Sequence, residues 1–127
     1  MANTFKVVTF AAEPENTTNG YTVYTAPSSP STTTIVLGLV LANIHTSQIT
    51  ATVELVSDTS GGGRGDNGTG SAVNTTSVIV KDAPIPVGSS LELLAGNKVV
   101  LETTDAIKVT CSVVDKLSGT LSIMEIT

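Results

Sequence analysis

The chain has 127 residues, a formal net charge of −5 and an apolar fraction of 40%, with one Cys, one His, no Trp, two Phe and two Tyr. That length fits one domain, able to bury roughly 70% of the surface its unfolded form exposes. Six basic residues, scattered rather than clustered, argue against phosphate recognition and so against nucleic acid as a partner.

Other classes are narrowed by short arguments. The longest apolar run, residues 35–43, is far too short for a membrane-spanning helix, so no membrane role is expected. The opening residues lack a charged start followed by an apolar block, which predicts synthesis without a secretory leader. Cys111 is alone and forms no internal disulfide. Its place on the Ile107/Val109/Val113 face predicts a small buried side chain.

In chain order, residues 1–20 hold one apolar burst, Phe5, Val7, Val8 and Phe10, followed by a polar spacer over residues 13–20. The burst predicts a first strand, or an arm that pairs with a neighbouring molecule. Residues 21–25 predict a strand with Tyr21 and Tyr24 on opposed faces, closed by a turn holding Pro27 and Pro30. Residues 33–43 are apolar on both sides and belong in the middle of a layered structure. There the alternation places Ile35, Leu37, Leu39 and Leu41 on one face, with Val36, Val40 and Ala42 on the other. Residues 49–57 turn Ile49, Ala51, Val53 and Leu55 inward and Thr50, Thr52 and Glu54 outward.

Residues 58–75 form the longest loop, and its glycine content opposes any regular element. Residues 76–82 resume the sheet until Pro84 and Pro86 end it. Residues 89–94, 98–102, 106–114 and 119–126 complete the strands, with turns at 95–97, 103–105 and 115–118. Nothing shows a helical period. The prediction is an all-β, single β-sandwich of about eight or nine short antiparallel strands, jelly-roll-like or immunoglobulin-like. The sandwich domain covers residues 21–127, with the strand or arm and its spacer at 1–20.

Chemical motifs are sparse. Arg64-Gly65-Asp66 spells an adhesion tripeptide, but a tripeptide recurs by chance, and a solvated glycine turn is the preferred reading. The spacing Gly63, Gly65, Gly68 lacks the following helix that a dinucleotide site requires. Asp58, Asp66 and Asn67 offer too few oxygens, at no recognised calcium spacing. Asp82, Asp105 and Asp115 sit where Asp commonly satisfies turn backbone groups. His45 has no nucleophile motif around it, and one His with one Cys makes no typical zinc site. The acceptor patterns at Asn16, Asn67 and Asn74 carry little weight without a secretory signal. No catalytic, cofactor-binding or metal-ligating residue is assigned, no cofactor is expected, and an enzyme is not the expected class.

Several stretches carry a resemblance. They are residues 21–27, 37–43, the proline-bracketed run 81–94, residues 99–109, and the closing Leu121, Ile123, Met124, Glu125 and Ile126. Together they resemble small virion structural proteins of tailed bacteriophages, including those of cyanobacterial phages. The likeness spans roughly residues 21–127, and the glycine insertion stands outside it. The resemblance implies a structural protein made in the host cytoplasm and resident in the virion. Its expected role is a capsid decoration (cement) protein that bridges major capsid subunits, as a homo-oligomer. Phe5, Val7, Val8 and Phe10 are the candidate partner-binding arm. A neck, tail or baseplate component is the first alternative. A host-adhesion or carbohydrate-binding module is the second.

Overall fold

A computed structural model describes residues 3–57, 74–94 and 98–127. The glycine-rich loop, with its tripeptide and its candidate calcium oxygens, falls at 58–73 and lies outside the described residues, as does the turn at 95–97. The described residues are all-β: β1 Asn3–Glu13, β2 Tyr21–Thr25, β3 Thr33–Asn43, β4 Ile49–Val56, β5 Ser77–Ile85, β6 Ser90–Leu93, β7 Val99–Leu101, β8 Ala106–Cys111 and β9 Leu117–Ile126. Every strand pairing between them is antiparallel.

The strands form two sheets. One runs β1-β9-β3-β6, with β7 also paired to β3; the other runs β2-β8-β4-β5. The pairings are nested. β4 joins β5, β3 joins β6 and β7, β2 joins β8, and β1 joins β9, alternating between the sheets. A long antiparallel ribbon rolled onto itself gives this order, which is the jelly roll. The immunoglobulin order does not pair the first strand with the last.

The core lies between the sheets. Leu39, Leu41, Leu121 and Ile123 from one sheet meet Ile49, Val53, Ile107 and Val109 from the other, each at most 1% exposed. Cys111 joins them as a buried free thiol. β3 occupies the centre of its sheet, as its two apolar faces require.

Three expectations are corrected, each by a bulge or an edge. The pairing of β3 with β9 slips between Val36 and Gly38, leaving Leu37 as the extra residue. Such a bulge resets the facing of a strand. Thr34 and Val36 therefore point inward before it, Leu39 and Leu41 after it, and Ile35 turns outward with Val40 and Ala42. A second slip, between Thr22 and Tyr24, draws Tyr21, Val23 and Tyr24 all toward the core. The two Tyr rings are therefore not on opposed faces. Finally, β5 continues through Pro84 to Ile85. It is an edge strand paired only with β4, so a missing donor on its free side costs nothing. Strand bounds shift modestly elsewhere. β1 is longer than residues 5–10, β8 ends at Cys111, and β9 begins at Leu117, which is fully buried.

Candidate functional site

The candidate arm residues lie on β1, an edge strand. From Asn3 opposite Ile126 to Phe10 opposite Gly119 the pairing with β9 is regular; it then slips before Glu13. Alternation divides the four residues. Phe10 is buried, its ring 5.2 Å from that of Tyr21, and Val8 packs against the core. Phe5 and Val7 point outward, 72% and 63% exposed. Gly119 makes room for Phe10, because a Cβ there would collide with its ring.

A polar network fastens this strand at one end of the sandwich. Lys6 Nζ on β1 lies 2.7 Å from Glu125 Oε1 on β9. The Tyr24 hydroxyl on β2 donates to Glu125 Oε2 at 2.6 Å and shares a 2.8 Å bond with Thr34 Oγ1 on β3. Both sheets are tied through one carboxylate. The hydrogen bonds from Lys6 and Tyr24 hold Glu125 below the usual carboxylate range against its burial. Burial, then the neighbouring carboxylate, pushes the Tyr24 phenol up to about 12.

Among the described residues four strand edges bound the two sheets, and three are blunted. β5 carries Lys81, Asp82 and Pro84, and Asp82 adopts φ 50°. β2 has five residues and a bulge. The fourth position of the larger sheet is shared by the short β6 and β7. β1 has 11 residues and no proline; its one basic residue, Lys6, is already engaged by Glu125, and its slip and its Glu13 lie at the far end, past eight regularly paired residues. Protein edges are commonly protected by prolines, charges, bulges or brevity, and β1 is the least protected of the four.

The outer face of the larger sheet is distinctive too. Phe5 of β1, Met124 of β9, Ile35 of β3 and Val100 of β7 lie side by side in one row. The rows beyond it carry Val7, Ser122, Thr120 and Val40. No charged side chain points outward from β1, β9 or β3 on this face. Beside the β3 bulge the surface dips into an open depression of about 330 Å³, lined by Leu37, Gly38, Val40, Glu92, Thr120 and Ser122 among others. A Cβ added at Gly38 would meet nothing within 4 Å.

The other residues singled out in the sequence are dispersed. His45 follows β3, and its backbone N–H donates to Asn43 Oδ1. Asp105 accepts from the Glu102 N–H through its carboxylate, a turn role. Asp82 lies inside β5 rather than at its end, its N–H donating to Thr52 Oγ1. Asp115 sits in a left-handed turn before β9, its N–H donating to the Pro14 carbonyl. Among the described residues, no three of His, Cys, Asp and Glu are grouped to hold a metal ion.

Sequence reasoning missed the network, the depression and Glu13. Glu13 Oε2 is buried without a hydrogen-bond partner, and burial, with Glu15 and Asp115 close by, pushes its carboxyl up. The network joins residues 101 apart in sequence, which no local pattern announces.

No protein-family model matches the chain, and no curated protein matches it. Two solved structures are loosely similar. One is from the disulfide-linked pili of Bacillus endospore appendages, with TM-score 0.46, 12% identity, and coverage of 99% of this chain and 87% of that one. The other is from infectious bursal disease virus, Gx strain, with TM-score 0.45, 13% identity and 96% of this chain covered. The present chain spans 32% of that viral chain.

Proposed function

We propose that this protein is a virion structural component, and within that class a head decoration protein bridging major capsid subunits. The observation that carries the reading is β1: a long edge strand, regular from Asn3 to Phe10 and free on one side among the described residues, with Phe5 and Val7 exposed beside it. An open edge adds a strand from a partner through backbone hydrogen bonds, while adjacent side chains set the register. On a lattice, such contacts gain from repetition, because binding one subunit raises the effective concentration at the next. A rigid jelly roll suits this role, since it supplies surface and shape without moving parts. Fold alone does not assign function. The resemblance of residues 21–127 to phage virion proteins supports the virion setting, with synthesis in the host cytoplasm.

A neck, tail or baseplate position needs the same build and differs in copy number. The sugar-binding alternative draws no support from the aromatics, because Tyr21 and Tyr24 both pack toward the core. Binding to undecorated capsids, followed by co-sedimentation, tests the reading. The full chain is expected to bind at lattice stoichiometry, and a chain lacking residues 1–8, with Phe10 still in its core, is expected to lose that binding. Unchanged binding by the shortened chain removes β1 from the mechanism. No binding by the full chain removes the decoration role.

A further inference from the structure

We propose that the outer face of the larger sheet seats a second copy of this chain, Phe5 of each molecule entering the depression at Gly38 of the other. The proposal deepens the reading above by naming the partner of one face, and it leaves the free backbone edge of β1 to the capsid.

Knob and hole are both present. Phe5 is 72% exposed on this face. The depression holds about 330 Å³ and is open above Gly38. An apolar cavity of about 150 Å³ accommodates benzene, so a phenyl ring has room. The two features lie on one face two strands apart, roughly 10 Å across the sheet. A two-fold axis between them satisfies both contacts at once, which is the condition for an isologous pair. That axis falls over β9, where Ser122 and Thr120 are small enough for close approach.

Charge favours a copy as the occupant. Two chains of net charge −5 repel in general. Here the outward positions of β1, β9 and β3 are uncharged and Glu92 on β6 is the one carboxylate at the depression, facing the uncharged Phe5 of the copy, so the two molecules meet with little charge opposed to charge. Area agrees. With the axis over β9, β1, β9 and β3 cover β3, β9 and β1 of the copy; three strand widths of about 4.8 Å and about ten residues of ~3.4 Å give a projected face on the order of 490 Å². A stable interface takes about 800 Å² of accessible surface from each partner, and accessible surface exceeds its projection. An edge pairing of about eight residues on a sheet layer ~10 Å deep offers on the order of 270 Å², well short of that requirement.

Sedimentation velocity on the full chain tests the pair. The wild-type protein is expected to run as a dimer. Phe5→Ser and Gly38→Leu are each expected to run as folded monomers whose thermal transitions match that of wild type diluted until it dissociates, because Phe5 is exposed and Gly38 has open space above it. Val78→Ser, exposed on the other sheet, is expected to stay dimeric. A second readout is covalent. The double variant Phe5→Cys with Gly38→Cys is expected to cross-link between chains on oxidation, Cys111 being buried. A wild-type monomer up to roughly 100 µM, or a dimer indifferent to both substitutions, overturns the proposal. A monomer that still binds capsids removes the pair alone; a dimer that ignores capsids removes the decoration reading alone.

Discussion

Replacing Tyr24 with Phe deletes one hydroxyl and takes a partner from two side chains. Glu125, 7% exposed, loses a 2.6 Å donor and keeps only Lys6. Thr34, fully buried, loses its 2.8 Å partner. A hydrogen bond to a charged group is worth about 1.5–3 kcal/mol, and a buried hydroxyl left unsatisfied costs about 1–3 kcal/mol. Members of one network do not add fully, so the expected loss is about 2–4 kcal/mol. At this chain length each kcal/mol moves the midpoint by about 4 °C, giving a fall of roughly 8–16 °C at pH 7. The pH dependence carries a second signature. The folded pKa of Glu125 lies below its ordinary value of 4.5, so its contribution is complete above that pH and fades as the pH falls through the folded value. The gap between the wild-type and variant midpoints should therefore narrow in acid to the part that the unpartnered Thr34 hydroxyl costs. The phenol is raised from 10 to about 12, so its contribution is full below pH 10 and is lost as the pH rises toward 12. The variant lacks that alkaline loss. Circular dichroism melts across the pH range check both limbs. A midpoint within about 2 °C of wild type at pH 7, or a gap that persists undiminished in acid, refutes the reasoning.

Three further outcomes follow from particular contacts. Glu13→Gln should raise the midpoint slightly near neutrality, by removing a negative charge that sits beside Glu15 and Asp115. The raised pKa means the wild-type acid is tolerated best when protonated, so the gain should vanish below pH 4.5; melts at both pH values decide it. Gly119→Ala should cost about 1–3 kcal/mol, because the new methyl group collides with the Phe10 ring. Denaturant midpoints with an unchanged slope are its check. Phe10→Ala should cost about 3–5 kcal/mol and quicken amide exchange along β1, since Phe10 is the most buried side chain of that strand.

Strand positions were legible because period-2 alternation survives wherever one face is buried, as in residues 49–55. Facing was less legible, because a bulge leaves no mark in composition. Leu37 and Val23 are ordinary apolar residues, yet each sits where the ladder slips and the phase resets. Pro84 misled for a related reason. Proline breaks a central ladder, and whether β5 is central depends on strand order. That order arises from pairings far apart in sequence, β1 with β9 above all. The arm residues were visible as an apolar burst, but their division into a buried Phe10 and an exposed Phe5 needed the register against β9. The depression at Gly38 exists only because β3 bulges beside the shared β6 and β7 edge, and a lone glycine in a leucine-rich strand gives no such signal.

The central claim is that this jelly roll acts as a repeated part of a particle, through its edge and its uncharged face. Counting its copies by quantitative mass spectrometry in purified virions, against the major capsid protein, tests that claim most directly. The account predicts hundreds of copies per particle, in a fixed ratio to the capsid subunit. Particles that lack the protein, or carry it in varying trace amounts, would contradict it.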